Sequence, residues 1–321
     1  MMKHEQNSRF VLCETSRGTL GVEVVAQDIL RVFLGRETQN YFSKAVEADR
    51  HEDCAFTVTE EGDTLVIATP VLRLAVDAAG HTDFYTAAGK PLSLAWRGAR
   101  GVIERGLHDK DLLEKEGHKD AGNAAGLPVE ELRALLPDDA VYGLGDKPTV
   151  LNKRSYAYEN WNSDIPDPHE ECFKSLYKDF PVFFVSSAAA ERTYGIFFDN
   201  TFHTYFDFGF ESPDYLSFGA KEGALNYYFF AGPTLREAVS RYTWLTGRAP
   251  LPQRWALGYQ QCRWGYASAE EFRALARKFQ ELDIPLDALH FDIDYMDGYR
   301  VFTTNDKTFP DFPGLLAELK A

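Results

Sequence analysis

Cysteine is scarce in this 321-residue sequence, and Cys13, Cys54, Cys172 and Cys262 form no close pair. That scatter argues against a zinc motif and against a disulfide framework. Each reads as a small buried apolar residue or an idle thiol. Long apolar runs are also missing. No uninterrupted stretch approaches the roughly 20 residues that span a bilayer, and the opening MMKHEQNSRFVLCE lacks the apolar segment of about 7–15 residues of a secretory signal. The expectation is a soluble, cytoplasmic protein with no membrane partner. Basic residues are outnumbered, 34 against 49 acidic, for a formal charge of −15. A polyanion would bind against that field, so nucleic acid is not an expected partner. The eight histidines include no i, i+4 pair and none beside a candidate nucleophile, which removes the common metalloprotease and triad patterns.

What is present is core-forming material. Hydrophobic residues make up 45% and aromatics 14%, enough for a sizeable core and two domains. From Gly18 to about Trp96, short β-rich runs such as TLGVEVV, ILRVFLG and TLVIATPVLRLAV alternate with turn signals. The segment 107–139 is mixed in charge, and VEELRALL is its one stretch with helical spacing, so the whole segment reads as a surface excursion. Strand-like sequence resumes through VYGLG, FPVFFVSS, TYGIFFDN, TFHTYFDFGF and ALNYYFFAG, rich in the residues favoured on a pleated surface. Residues 1–247 are therefore expected to form an all-β, antiparallel sandwich of two packed sheets, closed by the helix TLREAVSRYTWLTG with Gly247 as its stop.

After a proline-bearing linker the pattern changes. RWALGYQQ reads as a strand, Ser268 and Glu271 as a capping box opening a helix, LDALHFDID as a second strand, and DFPGLLAELKA as a second helix. Strand, helix, strand, helix predicts parallel strands with crossovers. Two such units do not make a sheet with covered faces, and a (β/α)8 barrel would need about six more, so residues 248–321 are read as a truncated domain of that kind, with the natural product expected to continue beyond Ala321.

The second strand runs into Asp292, Asp294 and Asp297. Strand alternation places Asp292 and Asp294 on one face with Ile293 on the other. One reading is ordinary, with one carboxylate capping the following loop and the other solvated or ion-paired. A calcium loop fails on register, because the third acid arrives one position late and Thr303 stands where a bidentate glutamate is required. His290 points the same way as Asp292 by period two and reads as a hydrogen-bonded core residue before a catalyst. The G-x-G of Gly143 and Gly145 is followed by Pro148 instead of a third glycine, and marks a tight turn.

GYQQCRWGY (258–266), IPLDALHFDIDYMDGYRVFTTND and TFPDFPGLLAELK resemble the opening of the catalytic barrel in family-31 glycoside hydrolases, the α-glucosidase family. VYGLGDKPTVLNKRSYAYENWNSDIPDPHEECFKSLYKDFPVFF is similar to that family's amino-terminal sandwich, including the loop that reaches over the active site. The likeness covers about residues 140–321 in strong motifs and residues 1–107 by β character alone. It implies a retaining enzyme that removes α-linked glucose from non-reducing ends. By resemblance, Asp292 accepts hydrogen bonds from hydroxyls of the sugar in the −1 subsite, Ile293 lines that subsite, and Asp164 closes the pocket. Trp161 either walls the pocket or sits in the core. The substrate partner is an oligosaccharide or α-glucoside, and neither metal nor organic cofactor is implied, since carboxylates alone run this chemistry.

In the family the nucleophile and acid/base are aspartates on later barrel strands, and neither motif occurs here. The alternative reading is a non-catalytic carbohydrate-binding or interaction module. An unpaired edge on the last strand leaves homo-oligomerisation open. This chain by itself is expected to release no phenol from an aryl α-glucoside, and turnover above the uncatalysed rate would contradict that expectation.

Overall fold

The computed structural model describes residues 2–100, 127–148, 150–166, 168–171 and 173–320. The chain divides into two compact units, Met1–Arg248 and Ala249–Ala321.

The first unit begins with β1 (His4–Gln6), β2 (Phe10–Thr15), β3 (Gly18–Ala26) and β4 (Ile29–Leu34). A meander follows, made of β5 (Thr57–Glu61), β6 (Thr64–Ala68), β7 (Leu72–Asp77), β8 (Thr82–Thr86) and β9 (Pro91–Ser93). Then come β10 (Val129–Ala134), β11 (Ala140–Gly145), β12 (Ala157–Asn160), β13 (Asp179–Ser187), β14 (Arg192–Phe198), β15 (Thr204–Asp207), β16 (Tyr215–Ala220) and β17 (Asn226–Ala231). One antiparallel sheet has the order β1-β2-β3-β4-β17-β14-β13-β11. Opposite it lie the meander and a four-stranded sheet, β10-β16-β15-β12. These two join through the bridge Ala95–Arg133, where Trp96 N donates to Leu132 O at 3.0 Å and Ala134 N to Leu94 O at 2.8 Å.

The fold is the expected antiparallel sandwich followed by the start of a barrel domain, with no closed barrel among the described residues. Alternation builds its core. Leu72, Leu74 and Val76 of β7 are buried, while Arg73, Ala75 and Asp77 between them are half-buried. The main core draws Val22, Ile196 and Phe229 from the eight-stranded sheet and Leu74, Phe84 and Phe218 from the opposite layer. Phe84 stacks on Phe229 with ring centroids 3.9 Å apart, and Phe183 meets Phe206, Phe208 and Phe218. Each such ring stabilises the fold by about 1.5–3 kcal/mol through burial alone. Helix α1 (Leu235–Thr246) covers the outer face of the large sheet, packing Ala238 and Leu245 with Phe184, Phe197 and Phe230. Thr234 caps it by accepting from Glu237 N, and Gly247 ends it at φ 85°.

One expectation fails in this unit. VEELRALL is not helical, and only part of 107–139 could be a surface excursion: Val129–Ala134 is strand β10, paired along its length with β16. Residues 107–126 lie outside the described residues. The reason is an inverted alternation, in which the charged Glu131 and Arg133 point inward and Leu132 and Ala134 are half-exposed. Arg133 is 0% exposed. Its Nε donates to Ser93 Oγ (3.1 Å), Nη1 to Thr82 O (2.6 Å) and Glu131 Oε1 (3.1 Å), and Nη2 to Ser93 O (2.7 Å).

The second unit contains β18 (Gln260–Gln261), α2 (Ala269–Glu281), β19 (Ala288–Leu289) and α3 (Phe312–Lys320). β18 and β19 are parallel, as the strand-helix-strand order requires. Ser268 accepts from Glu271 N at 3.4 Å, while Glu271 Oε2 accepts from Ala267 N at 3.0 Å, one residue beyond the N-cap amide of the full box. Both strands are shorter than expected. Arg254–Leu257 of RWALGYQQ is a 3-10 turn, and the strand in LDALHFDID ends at Leu289. Asp292 has φ 39°, a left-handed value that no strand continues through.

Breaking a buried ion pair by removing one partner costs about 3–5 kcal/mol. Arg133→Ala is therefore expected to lower the unfolding free energy by about that much in urea titration. Arg73→Ala, which loses a half-exposed pair with Glu61, should cost about 0–1 kcal/mol. Equal losses would remove Arg133 from its structural role.

Candidate functional site

The carboxyl ends of β18 and β19 lie side by side, with His290 N donating to Gln261 O at 3.0 Å. Backbone pairing thereby sets Cys262 beside the segment that carries Asp292. The Cys262 thiol donates to Asp292 Oδ2 at 3.2 Å. That hydrogen bond and the nearby negative charge hold the thiol above its ordinary pKa. Asp292 is exposed and Ile293 half-buried. His290 is exposed, its Nε2 2.9 Å from Gln260 Oε1, so it is not the core residue expected.

The three acids do not converge. Alternation was expected to aim Asp292 and Asp294 together, but residues 292–295 form a turn and each carboxylate takes its own partner. Tyr299 OH donates to Asp294 Oδ1 at 3.4 Å, and a Cβ added to Gly265 would lie 1.6 Å from Asp294 Oδ2. Asp297 pairs with Arg300. Among the described residues no three His, Cys, Asp or Glu side chains gather as a metal would need.

In the first unit, Trp161 and Asp164 share the loop after β12. Trp161 is 56% exposed and not a core residue. Its ring stacks on His203 (centroids 4.9 Å, 22°), which stacks in turn on Tyr205 (4.5 Å, 16°). His203 Nε2 lies 2.8 Å from Glu159 Oε2. The loop is tied to the segment before β13: Trp161 N donates to Ser175 Oγ at 3.2 Å, Asn162 Nδ2 to Tyr177 O at 2.7 Å, and Ser163 N to Leu176 O at 2.9 Å. Asp164 is exposed, and its carboxylate raises the pKa of the Tyr177 phenol.

The G-x-G stretch serves this loop's base. Gly143 and Gly145 flank a register shift between β11 and β13, with positive φ at both. A Cβ on Gly143 would lie 2.3 Å from Val182 O, so only glycine fits. Lys147 follows, its side chain buried, donating to Glu159 O at 2.8 Å and paired with Asp179.

Residue-level reading missed Cys262, which is exposed and engaged where Cys13 is buried, its thiol pushed up to about 12 by burial. The available signal was position, since Cys262 directly follows the first parallel strand. His203 and Glu159 were likewise unmarked, and only the pairing of β12 with β15 brings them under Trp161.

Two family models match. Residues 19–207 fit the glycosyl hydrolase 31 N-terminal galactose mutarotase-like domain, and residues 249–321 the glycosyl hydrolases family 31 TIM-barrel domain. The chain belongs to glycoside hydrolase family 31. Within that family it is 46% identical over 183 residues to alpha-glucosidase 2 of Bacillus thermoamyloliquefaciens, covering 57% of this chain and 23% of that protein. Lysosomal alpha-glucosidase of Mus musculus is 31% identical over 191 residues, covering 59% and 19%. The structure of a family-31 dextranase of Flavobacterium johnsoniae complexed with isomaltotriose superposes with TM-score 0.80 at 29% identity, covering 99% of this chain and 37% of that one. This family-31 chain thus spans under a quarter of the length of the curated relatives it matches.

The Cys262–Asp292 contact has a measurable consequence. Asp292→Asn removes the charge that opposes thiol ionisation, so Cys262 should alkylate several-fold faster with iodoacetamide at about pH 8, read by peptide mass spectrometry. An unchanged rate would mean that the two side chains do not meet in solution.

Proposed function

We propose that the whole protein hydrolyses α-linked glucosides from their non-reducing ends with retention of anomeric configuration. The observation that carries this reading is the exposed Asp292 carboxylate beside the carboxyl end of a parallel pair, in a segment matched to the family-31 barrel. Ligands of such barrels meet that end of the strands. An ionised carboxylate offers four lone-pair sites and no donor, which suits vicinal sugar hydroxyls. Cys262 engages Oδ2, and the sugar hydroxyls are assigned to Oδ1. Ile293 supplies an apolar wall. The family resemblance assigns Asp164 and Trp161 to substrate as well, the carboxylate suited to accept from a hydroxyl and the exposed ring to face sugar C–H groups.

Retention requires one carboxylate to attack the anomeric carbon and a second carboxyl group, about 5–5.5 Å away, to protonate the leaving oxygen and then activate water. These roles are assigned to aspartates on later strands of a complete barrel. Asp292 and Asp294 are unsuited to them: they stand in one turn, and Asp294 is packed against Gly265. The relatives support the substrate class, two being α-glucosidases by name and one a dextranase complexed with isomaltotriose.

Hydrogen bonds to a charged group contribute about 1.5–3 kcal/mol. In a protein carrying the complete barrel, Asp292→Asn should therefore lower kcat/KM about tenfold to a hundredfold with an unchanged circular dichroism spectrum. Asp297→Asn, which loses only a surface pair with Arg300, should leave it within about twofold. Unaltered kinetics in Asp292→Asn would exclude that residue from the sugar site.

A further inference from the structure

The outer face of the eight-stranded sheet carries a cleft of about 410 Å³, within the size range of small-ligand sites. Its floor is Glu23 of β3, Arg31 of β4 and Tyr228 of β17, whose sequence neighbours Val22, Val24, Leu30, Val32, Tyr227 and Phe229 belong to the core on the other side. The segment 39–50 and Leu245 of α1 form its walls. The floor is rigidly wired. Arg31 Nη1 donates to Glu23 Oε2 at 2.9 Å, Arg31 Nε to Asn226 Oδ1 at 2.7 Å, and Arg9 Nε to Glu23 Oε1 at 2.6 Å.

The walls and rim are different in kind. Phe42 is 75% exposed and stands beside the exposed Tyr41. Arg50 has a buried Nε with no hydrogen-bond partner among the described residues. Gln39, Asn40 and Glu47 complete the polar lining. Guanidinium groups only donate, ionised carboxylates only accept, and carboxamides do both. The floor groups already pair with one another, so a ligand is read by the walls and rim. An anion would meet the Glu47 carboxylate as well as Arg50, while an apolar ligand would desolvate Gln39, Asn40, Glu47 and Arg50 without offering them partners. A polyol donates and accepts at each hydroxyl, and its C–H face suits the electron-rich face of an aromatic ring.

We propose that this cleft is a carbohydrate-binding site built wholly from sandwich residues, taking a short neutral glucan through Phe42, Tyr41 and Arg50. It uses none of the residues assigned to the barrel-side sugar site, so the two assignments stand or fall separately. The test is titration of this 321-residue chain with isomaltotriose and with maltotriose, followed by isothermal calorimetry and saturation-transfer NMR. Saturable binding at about 1 mM is expected for at least one of them, a level ordinary for a small neutral ligand on a shallow site. Phe42→Ala and Arg50→Met should each weaken it at least fivefold, and Asp292→Asn should leave it unchanged. Phe42 is exposed enough for its truncation to leave the melting temperature in place, so a loss of binding reports on the cleft. The absence of saturable binding, binding lost in Asp292→Asn but kept in Phe42→Ala, or binding of inorganic phosphate in place of both sugars would each overturn the proposal.

Discussion

The buried Arg133 guanidinium, alongside the backbone bridge Ala95–Arg133, ties the two parts of the sandwich's second layer together. The meander and the four-stranded sheet come from separate stretches of chain, and Arg133 reaches from β10 to Thr82 of β8 and Ser93 of β9 while pairing with Glu131 on its own strand. A buried charge without partners would be expelled. Here the cost of desolvation is offset by hydrogen bonds to both strands and to Glu131. With this layer continuous, the eight-stranded sheet has a complete apolar surface to pack against. The loop after β12, bearing Trp161 and Asp164, then has a fixed base.

The same dependence on pairing governs the barrel segment. β18 and β19 are two residues long, but their parallel register is enough to set Cys262 beside Asp292 across thirty residues of sequence. The left-handed backbone at Asp292, which aspartate tolerates better than most residues, turns the chain and leaves its carboxylate exposed beside Cys262. Each acid is then separated from the others by its own partner.

Much of this was legible in the residues. Period-two alternation and turn signals identified the antiparallel sheets, capping residues identified α1 and α2, and the order of elements identified parallel strands. What was hidden has a common cause, namely tertiary partners that local pattern does not encode. β10 looked helical because its inward residues are Glu131 and Arg133, and only the strands across from them make those charges inward-facing. The strand before Asp292 was read too long because an apolar run does not show where a backbone angle changes sign. Trp161 was left between core and pocket, since the decision rests on His203, a residue forty-two positions away brought near by β15. Family motifs located the acidic turn, while the geometry of its surroundings supplied Cys262.

Gly265 shows how little freedom surrounds that turn. The space a methyl group would occupy is already filled by a carboxylate oxygen of Asp294. Randomising the loop after the first barrel strand would therefore do best to leave this position alone. Variation at its neighbours leaves that contact in place, whereas any side chain at 265 requires the Asp294 carboxylate to move aside.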